Sequence, residues 1–244
     1  MTRFHKTQIR ITATLIFLFL YVTSIHSQTS GQTESNRVSL PNGWHLSPVG
    51  KMLPAGDLPL NIAISPSGKL AAVTNNGQSD QSIQLINVKK GIVTDAVEIG
   101  KSWLGLVFSD DGKSLYASGG NDNLIIRYSV KRKKLVAKDT IVIGKPWPEL
   151  ISVAGLAVDN SRNRLYTVTK ENNSLYVVDL NTRNIISTHP LGGEGYTCIL
   201  SPDRKILYAS CWGCDKVIVF DTGLSRITGE IAVGDNPNDM CITA

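Results

Sequence analysis

Histidine, clustered charge, long apolar runs and catalytic signatures are what this sequence lacks. Of 244 residues, four are histidines, 7% are aromatic and 18% are charged. There is no G-x-S-x-G, no G-x-x-x-x-G-K-[ST] and no H-E-x-x-H. Those absences remove the sequence signals for a serine-hydrolase elbow, a phosphate-cradling loop and a helical zinc site. Beyond residue 27 the only histidines are His45 and His189, in unrelated contexts. A Ser-His-Asp triad or a His-based metal site needs a histidine beside identifiable partners, and neither has them. His189 precedes Pro190 at the end of an expected outer strand, where a surface position is expected.

The longest apolar run, 11–25, follows Arg3, Lys6 and Arg10 and precedes His-Ser-Gln at 26–28. It falls short of the roughly 20 residues a spanning helix needs. A basic start, a short apolar core and a small residue before a polar stretch describe a secretory signal peptide over 1–27, cleaved near Ser27. No cysteine sits at that junction, which argues against a lipid anchor. The expectation is an exported chain, periplasmic or extracellular, with no membrane attachment after cleavage.

Charge of one sign is scarce too. The formal net charge is +5, but the signal segment carries three basic and no acidic residues, so cleavage leaves 22 basic against 20 acidic. No clustered basic face of the kind nucleic acid requires follows from that balance. The single basic run, Lys131-Arg132-Lys133-Lys134, falls where a turn between two strands is expected.

What is present is repetition. Residues 28–39 are polar and aperiodic and read as a flexible leader. Beyond them the turns SPSGK (65–69), SDDGK (109–113), DNSRN (159–163) and SPDRK (201–205) recur at spacings of 44, 50 and 42 residues. Each lies between two short apolar strands. A third follows (SIQLINV, NLIIRYSV, SLYVVDL, KVIVFD), and a fourth ends at Gly100, Gly144, Gly192 or Gly234. Four strands per 40–50 residues is the period of a β-propeller blade. The third strands are apolar at consecutive positions, as expected when neighbouring blades cover both sheet faces.

The expected architecture is therefore all-β, a propeller of four-stranded antiparallel blades over 40–244. Its blades are 57–100, 101–144, 145–192 and 193–234, with the start of a fifth at 235–244. The long spacing comes from extra residues around KPWPELISVAG (145–155). The stretch 44–56 reads as the fourth strand of a blade with no blade before it, and MCIT (240–243) as a first strand with none after it. Such a ring is open, and the chain reads as part of a longer protein.

LAAVTNNG (70–77), LYTVTKEN (165–172) and VIVFDT with ITGEIAVGDNPNDMCIT (217–243) resemble the YVTN repeat, over essentially residues 56–244. WD40 repeats fit less well, since no Gly-His or Trp-Asp pair occurs in register. The run from Leu40 to Val88 is similar to the start of bacterial exported proteins that join a seven-bladed YVTN propeller to a downstream phosphoesterase domain. The resemblance implies that any such catalytic domain lies beyond Ala244. Lactonase-type propellers share the fold, and fold does not imply function.

The sharpest local motif is Cys211-Trp-Gly-Cys214. Asp215 in place of histidine excludes the usual haem attachment, and no second C-x-x-C completes a zinc site. In an oxidising compartment, a local disulfide or two inert thiols is expected. SDDG (109–112) and NDN (121–123) lack calcium-loop spacing and read as turns. The other candidates are the lead-ins to the first strands, which a propeller gathers around its channel. They offer Trp103, Trp147 and Tyr196 as aromatic surface, with Asp57, Asn61, Glu194, Asn238 and Asp239 as polar groups. The expectation is an exported, non-catalytic binding or scaffolding module that takes an unidentified small ligand or protein there, with no cofactor. The rival reading is a lactonase-like hydrolase on the same face.

Overall fold

The computed structural model describes residues 38–46 and 51–243, so the expected signal peptide lies outside the described residues. The chain divides into two compact units, Met1–Met52 and Leu53–Ala244.

In the first unit β1 (Val38–Ser39) pairs antiparallel with β2 (His45–Leu46). Gly43, with a φ of 81°, turns the chain between them, donating its N–H to Leu40 O at 3.0 Å. Two expectations change. Val38 and Ser39, placed in the flexible leader, form a strand. Of the fourth strand expected over 44–56, His45 and Leu46 pair with β1 instead, and 51–56 carry no strand. The cause is local: a Pro-Asn-Gly turn at 41–43 supplies a partner six residues away.

The second unit holds four four-stranded antiparallel sheets, each ordered as its strands follow in sequence. The first comprises β3 (Pro59–Ile64), β4 (Leu70–Asn75), β5 (Ser82–Asn87) and β6 (Ile92–Glu98). The second comprises β7 (Leu106–Phe108), β8 (Ser114–Ser118), β9 (Leu124–Lys131) and β10 (Lys134–Val142). The third comprises β11 (Val153–Asp159), β12 (Arg164–Thr169), β13 (Ser174–Asp179) and β14 (Ile185–Pro190). The fourth comprises β15 (Gly195–Leu200), β16 (Ile206–Cys211), β17 (Lys216–Asp221) and β18 (Arg226–Ala232). These are successive blades of a propeller. In every blade the register shifts between the third and fourth strands, at Leu85/Ile86, Ala137/Asp139, Val177/Val178 and Val219/Phe220. A bulge there bends the outermost strand, a protection for an exposed sheet edge.

The core lies between blades rather than within them. One cluster joins the first blade to the second through Leu85, Leu106, Phe108 and Leu115, and another joins the second to the third through Ile125, Val153 and Leu165. A third joins the third to the fourth through Tyr166, Leu207 and Phe220. Blade position therefore decides burial. Leu106, Leu156 and Cys198 occupy equivalent first-strand sites and are 7%, 6% and 5% exposed, whereas Ile62 in the first blade is 59% exposed. The first blade has no neighbour on that face among the described residues, which is the open ring expected.

Close approach of the first strands fixes two glycines. A Cβ on Gly105 would lie 2.1 Å from Ala154 O, and one on Gly155 would lie 2.5 Å from Thr197 Cα. His189 departs from its expected surface place: its ring packs edge-on against Phe220 at 4.9 Å, at a blade junction. Residues 235–243 depart further and form no strand. A first strand takes its ladder from its own second strand, and no such partner is present among the described residues. Asn238 O instead accepts the Ser210 hydroxyl at 2.7 Å.

Candidate functional site

At one end of the first strands, the lead-in loops stand beside the loops joining second to third strands. Trp103, half-buried in the lead-in of the second blade, packs against the core between the third and fourth blades. Two cavities meet at it. The first, about 240 Å³, is lined by Trp103, Lys170, Glu194, Gly195, Tyr196 and Trp212. The second, about 310 Å³, shares Trp103 and Lys170 and adds Lys101, Ser102, Asn121 and Glu171 among its walls. The result is one two-lobed cleft with an aromatic lobe and a polar lobe.

The aromatic lobe is built around the Cys-Trp-Gly-Cys loop. Cys211 and Cys214 are joined as a disulfide with Cα atoms 5.4 Å apart. Trp212 and Gly213 donate backbone N–H groups to Glu194 O at 2.7 and 3.4 Å, locking the loop onto the lead-in of its own blade. Close packing enforces the match, since a Cβ on Gly193 would stand 2.9 Å from Cys214 Cβ. Tyr196 and Trp212 then lie with ring centroids 6.4 Å apart.

Each lobe has on its wall a residue with a buried polar atom that lacks a partner. Ser102, 6% exposed, has an unpaired Oγ, and Glu194 has an unpaired, buried Oε2. Such groups carry a desolvation cost unless something hydrogen-bonds to them. Other polar groups on this face divide: Ser152 Oγ donates to Asn121 Oδ1 at 2.6 Å and Gln81 Oε1 accepts from Ser102 N at 2.5 Å, whereas Asn76 and Asn173, in the second-to-third strand loops of the first and third blades, also keep buried amide atoms without a partner.

The expected lead-in residues separate into two sets. Trp103, Glu194 and Tyr196 come together in the cleft. Asp57 closes its own loop by accepting Gln78 N at 2.7 Å and Ser79 N at 3.1 Å, hydrogen bonds that lower its carboxyl pKa. Asn61 donates from Nδ2 to Leu104 O at 2.5 Å, so its amide ties the first blade to the second. Trp147 is 66% exposed in the inserted loop, and Asp239 Oδ1 accepts its neighbour Met240 N at 2.9 Å. None of these, nor Asn238, lines either lobe. Lys170, Trp212 and Ser102 were not singled out by sequence. Trp212 carried a signal, an aromatic inside a constrained C-x-x-C; Lys170 and Ser102 carried none.

The opposite end of the blades holds an ion network. Asp159, its side chain fully buried, pairs with Arg204 at 3.1 Å and Arg162 at 3.2 Å. Burial pushes its pKa up, but the Ser161 hydroxyl and Arg204 outweigh that and leave it lowered. Arg204 reaches Asp110 as well, at 2.6 Å, joining three blades. It does so from a φ of 59°, where two sibling turns place Gly68 and Gly112. Among the described residues no three His, Cys, Asp or Glu side chains group closely enough to hold a metal ion.

Four consecutive four-stranded blades, with their cores between them and a ligand-sized cleft at one end, make this chain a β-propeller protein. It is 29% identical over 161 residues to Antigen Lp49 of Leptospira interrogans, a match covering 57% of this chain and 33% of the relative. It is 27% identical over 138 residues to the seven-bladed β-propeller protein Rv1057 of Mycobacterium tuberculosis, covering 54% of this chain and 33% of that protein. The matched region is thus about a third of the length of these curated relatives. No family model matches. Among solved structures, Kuenenia stuttgartiensis hydrazine synthase superposes with a TM-score of 0.58 at 17% identity, over 76% of this chain and 52% of the other. The WD40 repeats of RRP9 superpose with a TM-score of 0.57 at 15% identity, over 73% of this chain and 52% of the other. Both likenesses are of fold.

Proposed function

We propose that this propeller is an exported binding module whose ligand occupies the two-lobed cleft around Trp103. The observation that carries the reading is the pair of orphaned atoms, Ser102 Oγ and Glu194 Oε2, each on a residue that lines one lobe of a single cleft. A concave site with aromatic walls and a few convergent polar groups is the common form of a small-molecule site. Export is supported by the basic-then-apolar amino terminus and by a Cys211–Cys214 disulfide, which persists in oxidising compartments.

The test is ligand-observed NMR of the full chain against a mixed library of neutral sugars, amines and carboxylates, repeated with Trp103→Ala. Fragments that bind the parent and lose their signal with the variant support the proposal. A library without hits, or hits indifferent to Trp103, would refute it.

A further inference from the structure

The charges of the two lobes specify more than a generic ligand. The aromatic lobe has one carboxylate on its wall, Glu194, whose Oε2 is buried and unpaired, beside Trp103, Tyr196 and Trp212. An ammonium group suits that wall twice over, as hydrogen-bond donor to the carboxylate and as cation over aromatic faces. In the polar lobe the balance reverses. Lys101 and Lys170 stand there against Glu171, and the unpaired Ser102 hydroxyl can donate. Lys170 lines both lobes yet makes no ion pair among the described residues, with Glu194 or any other carboxylate. The cleft therefore offers a carboxylate at Glu194 and an ammonium at Lys170 that are not bonded to each other, with Trp103 on the wall of both lobes.

Resting on the reading that this cleft binds a ligand, we infer that the ligand is a small zwitterion. Its ammonium group faces Glu194, its carboxylate or similar anionic group faces Lys170 and Ser102, and its apolar stem lies on Trp103. Lobes of about 240 and 310 Å³ suit a free amino-acid-like molecule. The same two charges could be offered by the termini of a peptide, and the experiment separates these sources.

Isothermal titration of the full chain compares 5-aminopentanoate with pentylammonium, pentanoate, tetra-alanine and a neutral methyl glucoside. The zwitterion is expected to bind at least about tenfold more tightly than either half, a gain of about 1.4 kcal/mol, and more tightly than tetra-alanine. Glu194→Gln is expected to remove its advantage over pentanoate, and Lys170→Gln its advantage over pentylammonium, with both variants melting as the parent does. Either half binding as well as the whole would overturn the zwitterion, and tetra-alanine binding best would overturn the small-molecule source. If the glucoside binds through Trp103 while 5-aminopentanoate does not, the charge assignment falls and the cleft's role as a binding site stands. If fragments and all five probes fail alike, both fall together.

Discussion

Trp212 donates its backbone N–H to Glu194 O at 2.7 Å, which ties the disulfide loop to the fourth blade's lead-in. The Cys211–Cys214 bond closes that loop, and its value lies in holding Trp212 and Glu194 at the cleft wall. Replacing both cysteines with serine should lower stability by about 2 kcal/mol, the chain-entropy scale for so short a loop. The loss of ligand affinity should exceed what that destabilisation explains at a temperature where both forms are folded. Urea titration beside isothermal titration separates the two effects.

Gly193 should tolerate no side chain. A Cβ there would meet Cys214 Cβ and the Gly213 backbone at 2.9 Å, and neither is the free end of a flexible group. Gly193→Ala should cost about 1–3 kcal/mol as overpacking and reduce affinity in the cleft. Gly234→Ala, with open space around it, is the control and should leave affinity unchanged.

Arg204 combines a left-handed backbone with a bridge to Asp110 and Asp159. Arg204→Ala loses the bridge and keeps the strain; Arg204→Gly loses the bridge and relieves it. The glycine variant should be the more stable of the two by about 1 kcal/mol, measured by denaturant midpoint. Asp159 adds a pH dependence of definite sign. Its folded pKa lies below the ordinary 3.8, so its contribution is fully present above that value and is lost as pH falls through the lower folded value. Asp159→Asn should cost about 2 kcal/mol at neutral pH and flatten the acid side of the stability curve.

Two cysteines lie outside the disulfide and should react differently. Cys198 is buried, and desolvation pushes its thiol up to about 12, whereas Cys241 is exposed. A thiol reagent added to the native protein should modify one group rapidly, and unfolding without reductant should release a second. Two rapid groups in the native state would contradict the packing of the first strand of the fourth blade.

Most of the fold was legible because a propeller blade repeats its signals. Turns at SPSGK, SDDGK, DNSRN and SPDRK and apolar third strands need only local chemistry and a period. The candidate cleft was half legible. Trp103, Glu194 and Tyr196 follow from the rule that lead-ins gather around the channel. Lys170 and Ser102 join the candidate cleft because blades from different parts of the chain converge there, which no local pattern encodes. Asp57 and Asn61 show the converse: polar side chains in the right loops, consumed by hydrogen bonds to Gln78, Ser79 and Leu104. The segment 44–56 failed because a Pro-Asn-Gly turn gave it a nearer partner than any blade.

The open face of the first blade exposes Ile62 at 59% and Ile64 at 55%. Contiguous apolar strand surface of this kind drives association. Ile62→Lys with Ile64→Lys should shift the isolated chain towards monomer in analytical ultracentrifugation and leave the cleft's affinity unchanged, since neither side chain lines it.

On the proposed reading, ligand binds between Trp103 and Trp212. The chain has four tryptophans, of which Trp44 and Trp147 are 72% and 66% exposed and line neither lobe. Fluorine NMR of the 5-fluorotryptophan-labelled protein, titrated with 5-aminopentanoate, reports on all four at once. The Trp103 and Trp212 resonances are expected to shift together and saturably while the other two stay fixed. Shifts confined to Trp44 or Trp147 would contradict it.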